Sequence, residues 1–210
     1  MYFCILVYPH MVKLIFALFF FLLSFISQGQ RNWVLEKNEN GIKVYSSDVP
    51  GAAYKAVKVE ASFTGTYSKL IAVLSDVSQF SKWIYHSKAN SVVQRNSPLD
   101  FIYHTETVLP WPMSNRDVVI HMQINTDSLP KFMTITGTSM PKRIAKKSGL
   151  VRVNHYSARW KVTMDTPQTI SIYYELELNP AGNIPGWMAN SFVSKGPFET
   201  FSNLAKKLKE

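Results

Sequence analysis

The 210-residue chain contains a single cysteine, Cys4, which stands ahead of the part that folds. That domain therefore has no disulfide, no thiol chemistry and no thiolate metal site. It has no phosphate-cradling glycine loop, nucleophile elbow or metal-ligand spacing, so no cofactor is expected. Internal repeats, low-complexity tracts and linkers are missing as well, which leaves one domain around one core. Acidic residues are scarce, 14 Asp and Glu against 23 Lys and Arg, for a formal charge of +9. That balance suits an acidic partner. No nucleic-acid motif is present, so an anionic membrane surface is the partner this charge points to.

Only one long apolar run occurs. Leu14 to Ile26 reads LIFALFFFLLSFI behind Met11-Val12-Lys13, and Ser27-Gln28-Gly29 supplies small residues at a cleavage site. Residues 1–29 are expected to be a signal peptide, with Gln30 the mature N-terminus and an exported, periplasmic destination. If Met1 is the true start, the run is long enough to stay as an uncleaved anchor.

Beyond the leader, two periodicities alternate. Asn32 to Asn40 is read as a short amphipathic helix ended by Gly41. Ile42–Val49 and Ala53–Phe63 alternate as strands about a turn at Pro50-Gly51. Thr66 is placed to cap a helix carrying Leu70, Val73, Leu74 and Val77 at helical spacing. Strand patterns return at 91–94, 101–108, 116–126, 132–138, 151–164 and 169–178. A final helix is expected to start near Pro185 and to run to the C-terminus. One-sided alternation in nearly every strand gives a sheet with one dry face, and the terminal helix is the element left to cover it. The fold class is therefore α+β, a curved antiparallel sheet wrapped around a long C-terminal helix with an internal cavity.

Between the fourth and fifth of those strand patterns lies Pro110-Trp111-Pro112-Met113-Ser114-Asn115-Arg116-Asp117. Two prolines forbid a central strand or a helix through it, so it connects a long hairpin. If Arg116 shares the face of Val118 and Ile120, a guanidinium lies on an apolar surface. It then needs a carboxylate, a backbone carbonyl or a bound polar group as partner.

These pieces together resemble the START family of lipid-transfer domains. The resemblance rests on Asn40-Gly41-Ile42-Lys43-Val44-Tyr45, Leu74-Ser75-Asp76-Val77 with Trp83, Pro110-Trp111-Pro112 with Arg116-Asp117, Trp160, and the run Asn179 to Asn190. It covers Trp33 to Leu208, so residues 30–210 are expected to be the domain. The resemblance implies a helix-grip fold holding one lipid between sheet and terminal helix, with that helix and a nearby loop as a lid. In some sterol-binding members a buried acid pairs with an arginine just beyond the Arg-Asp motif. Glu106 is placed to supply the acid, but Met122 stands where that arginine is expected.

The candidate cavity residues are Glu106, Arg116, Ile120, Met122, Tyr156, Trp160, Tyr174, Met188 and Phe192. Glu106 and Arg116 flank one hairpin and are expected to pair across it, either closing the sheet or orienting a headgroup. The gate is assigned to Trp111, Gly186, Trp187, Gly196 and Pro197, because glycine and proline weaken a helix that swings. Lys142, Arg143, Lys146 and Lys147 form a basic run suited to anionic headgroups. The reading is a non-catalytic, monomeric binder of one lipid or similar amphipath. The alternative is a small cyclase- or hydratase-like enzyme on the same fold, and a His104–Glu106 contact inside the cavity is what it needs.

Overall fold

A computed structural model describes residues 31–182, 184 and 191–210. The signal-peptide reading of residues 1–29, and the gate and cavity assignments of Gly186, Trp187 and Met188, lie outside these residues. Residues 33–210 form one compact unit.

The unit opens with a hairpin where a helix was expected. β1 (Val34–Glu39) and β2 (Ile42–Asp48) are antiparallel, with Glu39 opposite Ile42. Asn40 and Gly41 both have positive φ, at 52° and 75°. Asn-Gly is the pair that a two-residue hairpin turn prefers, so the glycine turns a hairpin rather than ending a helix. A bulge between Leu35 and Lys37 interrupts the alternation of this exposed edge strand and hides its period in the sequence.

β3 (Lys55–Thr64) follows, then α1 (Tyr67–Ser75), whose Thr66 cap accepts from the Lys69 amide at 3.2 Å. A 3₁₀ turn (Val77–Gln79) leads into the single turn α2 (Phe80–Trp83). The long antiparallel run is β4 (Ser87–Ser97), β5 (Asp100–Thr107), β6 (Asn115–Asn125) and β7 (Met133–Ser139). The next strand pattern is broken in two, as β8 (Leu150–Arg152) and β9 (His155–Thr166), before β10 (Thr169–Asn179).

The ten strands make one sheet, nine of them in the order β1-β2-β3-β10-β9-β7-β6-β5-β4. β7 pairs with β6 only from Ile120 onward, and β8 takes the vacated edge at Asn115–Asp117, running parallel to it. The chain then closes with a π-helical segment (Ser191–Lys195) and α3 (Gly196–Lys207). The change of winding falls at Gly196-Pro197, where the sequence marked a weak point, and the proline sits in the first turn of α3, where its missing N–H costs nothing. Phe201 of α3 stacks on Trp160 at 5.2 Å and tilts against Tyr174 at 5.3 Å, while Leu204 is fully buried. The helix thus covers the dry, concave face, giving the helix-grip arrangement. Among the described residues no helix is long and apolar enough to cross a membrane.

Candidate functional site

Between the concave face and the terminal helix lies a cavity of about 240 Å³. β5 and β6 supply one wall by alternation, Tyr103, Thr105 and Thr107 from one strand and Arg116, Val118, Ile120 and Met122 from the other. β9 and β10 supply Tyr156, Trp160 and Tyr174, and the helical side supplies Phe192, Gly196, Pro197 and Phe201. Gly137 leaves the space in which Tyr156 lies, since a Cβ there would stand 3.1 Å from its ring. Burial pushes the Tyr156 hydroxyl up to about 12, and those of Tyr103 and Tyr174 well above the ordinary tyrosine value. The deep lining is therefore neutral.

Polar groups on this wall are few. Trp83 lines the cavity, and its buried Nε1–H finds no hydrogen-bond partner among the described residues. Arg116 is 8% exposed and faces inward at the level of Thr107. Its Nε donates to the Pro180 carbonyl at 3.1 Å, its Nη2 to the Ala181 carbonyl at 3.0 Å, and its Nη1 to the Ser114 carbonyl. No carboxylate among the described residues pairs with it, and burial pulls the guanidinium below its ordinary value.

Glu106 is not the partner of Arg116. It lies opposite Asp117 in the β5–β6 register, which turns it to the outer face, and its Oε1 bonds Lys147 Nζ at 2.8 Å. A period of two allows residues 106 and 116 no shared face once 106 opposes 117. Glu106 therefore leaves the candidate cavity set. Ile120, Met122, Tyr156, Trp160, Tyr174 and Phe192 line the cavity with Arg116, as do Gly196 and Pro197 at the gate position. Trp111 stands away from the lining at 90% exposure, whereas Leu109 of the same connection is buried and lines the cavity.

The outer face of β6 holds a second cluster that the sequence did not announce. Asp117 accepts from His104 Nε2 at 2.9 Å and from Arg152 Nε and Nη2 at 3.0 and 2.8 Å. Arg152 also donates to the carbonyls of Pro141, Ile144 and Ala145. Burial pushes the Asp117 carboxyl up, but the bonds from Arg152 and His104 outweigh it and hold the group below the usual carboxylate range. His104 thus meets Asp117 outside the cavity, not Glu106 within it, and the contact that the enzyme alternative needed is not formed. His121 and His155 stay on the outer face with Asp100 and Glu177. No group of three His, Cys, Asp or Glu able to hold a metal occurs among the described residues.

Arg152 fastens residues 141–145 to the outer face and so fixes the basic run. Lys142 and Lys146 are exposed, Arg143 bonds Gln94, and Lys147 is taken by Glu106. β6 and β8 run parallel with Asn115 beside Leu150, so the Trp111 connection and the basic run enter the sheet at the same end.

A family model described as START domain matches residues 22–210. An uncharacterised protein from Pseudomonas aeruginosa is 32% identical over 174 residues, covering 82% of this chain and 85% of that protein. The phosphatidylcholine transfer protein of Mus musculus is 25% identical over 170 residues, covering 79% and 78%. Among solved structures, a STAR-related lipid transfer protein fragment from Xanthomonas axonopodis superposes with a TM-score of 0.77 at 26% identity. That match covers 85% of this chain and 99% of the fragment.

Proposed function

The chain belongs to the START domain family, whose members bind and transfer lipids, and we propose that it encloses one amphipathic molecule without altering it and carries it between membranes. The observation that carries this reading is the apolar cavity roofed by Phe201, Pro197 and Phe192 and walled by Trp160 and Tyr174. Each buried methylene contributes about 0.8 kcal/mol, so one acyl chain is enough for micromolar binding with no reacting group. His104 is held by Asp117, and Asp117 by Arg152, on the far side of the sheet.

For transfer the cavity must open towards a bilayer. The end of the sheet carrying Trp111, Lys142 and Lys146 is suited to that contact, because an exposed indole favours the headgroup level and each nearby cation adds about 1 kcal/mol. Opening falls to the terminal helix, whose winding changes at Gly196. We further propose that the run Leu14 to Ile26 acts as an export leader and that the protein works outside the cytoplasm as a monomer.

Native mass spectrometry of the full chain from its own host tests binding. A discrete added mass of several hundred daltons, lost on organic extraction, is the expected result. A clean mass that stays unchanged after incubation with the host's total lipid overturns the reading. Sedimentation with vesicles, with and without phosphatidylserine, tests the docking end. Trp111→Ala together with Lys142→Ala and Lys146→Ala is expected to lose the bound fraction.

A further inference from the structure

Arg116 brings a formal charge into the cavity that no carboxylate among the described residues pairs with. Arg116 has five N–H donors, and the three carbonyls of Ser114, Pro180 and Ala181 use one on each nitrogen. One N–H on Nη1 and one on Nη2 have no acceptor among the described residues, a pair of donors suited to a carboxylate or a phosphate. No Asp or Glu among the described residues pairs with Arg116, and the residues outside the description contain neither amino acid. The other buried arginine, Arg152, has every donor satisfied and a carboxylate beside it. A buried cation without a counter-charge is costly, and a site that tolerates one gains most from a ligand that brings the anion.

The size of the cavity restricts the rest of the ligand. At about 240 Å³ it falls below the roughly 300–1,000 Å³ of pockets that enclose drug-sized molecules. Two acyl chains with a phosphocholine head need several times that space. One slender chain does not. Below Arg116 the wall is aromatic and neutral, so a second charge deeper in the cavity has no partner.

We propose that Arg116 is the headgroup site of the cavity and that its ligand is a single-chain amphipath with an acidic head, a carboxylate or a phosphate. This rests on the lipid-binding reading and narrows it. The zwitterionic two-chain lipid in the name of the murine relative is then not the cargo here.

Competition for one fluorescent fatty-acid probe, using the full chain stripped of lipid at pH 8, separates the possibilities. The competitors are oleate, oleoyl lysophosphatidate, oleyl alcohol and dioleoyl phosphatidylcholine. At least one acid is expected to bind roughly tenfold or more tightly than the alcohol of the same chain, and whichever acid is tighter identifies the head. The preference should persist in 0.5 M salt, because a buried contact is screened far less than attraction to a positive surface. Arg116→Gln should abolish it and Arg116→Lys should keep part. The acid-to-alcohol ratio is the readout, and in the unaltered protein it decides the matter even where a variant folds poorly. Equal affinity for acid and alcohol overturns the proposal while leaving lipid binding intact, as does phosphatidylcholine outcompeting all three. A preference that survives Arg116→Gln overturns the assignment of the site. If neither the probe nor any competitor binds, the lipid-binding reading fails with it.

Discussion

Arg152 and Arg116 are both buried and both lie on the paired strands β8 and β6, yet they face opposite sides of the sheet. Arg152 reaches the outer side, where Asp117 and three carbonyls satisfy its whole guanidinium. Arg116, next to Asp117 in sequence, points inward and meets carbonyls alone. A β-strand must turn neighbours to opposite faces, so the Arg-Asp dipeptide is split between two tasks. The acid is spent on folding, holding a loop to the sheet. The cation is left in the cavity with its charge unanswered. The contrast separates a group that the fold has completed from one for which we propose a ligand.

The largest effect is expected where the completed cluster is broken. Asp117→Ala strands the Arg152 charge in a site 3% exposed, and losing one partner of a buried pair costs about 3–5 kcal/mol. For a chain of this size that is a fall in Tm on the order of 10 °C. Replacing both partners, as Asp117→Leu with Arg152→Met, should cost less than the single change, since no charge is then left unpaired. A double variant as damaged as the sum of the singles would show the two residues acting independently. Denaturant melts of Asp117→Leu, Arg152→Met, the double variant and the parent decide this.

Acid should act on the same cluster. The Asp117 carboxyl is held below its ordinary value in the folded chain, so the unfolded chain takes up its proton first as pH falls. Its stabilisation is complete above the ordinary carboxylate range and is lost as pH falls through the lower folded value. Stability curves of the parent and Asp117→Asn should therefore differ at neutral pH and converge in acid, below about pH 4. A constant gap across that range would show that the carboxylate charge contributes nothing.

The sheet, the α1 cap and the concave aromatic lining were legible because their signals are local. Ile170, Ile172 and Tyr174 alternate strictly, and Thr66 stands one residue ahead of its helix. The Glu106–Arg116 pair was misplaced because its answer is not local. The connection around Pro110-Trp111-Pro112 conceals the β5–β6 register, and a slip of one residue moves a side chain through the sheet. Parity is fixed only by Glu106 standing opposite Asp117, which no spacing in the sequence shows. Arg152 was missed for a related reason, since its site is built from residues 117 and 141–145. One signal was available: a charge between Val151 and Val153 in a strand pattern calls for a partner. The Asn40-Gly41 turn was equally available, and the bulge at Leu35 to Lys37 obscured it.

Removing the inner cation should disturb the fold least of all. Arg116→Met deletes three hydrogen bonds to carbonyls, which is unfavourable, and also removes an uncompensated charge from an apolar wall, which is favourable. The two terms oppose each other, so the net cost should stay within about 2 kcal/mol, well short of that of Asp117→Ala. What remains of the cost falls on the Pro180–Ala181 connection, which the guanidinium holds at the end of β10. Amide exchange should therefore quicken there while the outer loop at 141–145 keeps its protection. If Arg116→Met proves as destabilising as Asp117→Ala, the inner arginine is a structural ion like the outer one. The case for a ligand-supplied anion would then lose its physical basis. A mild, local effect with the acid preference lost is the result that keeps the two arginines apart.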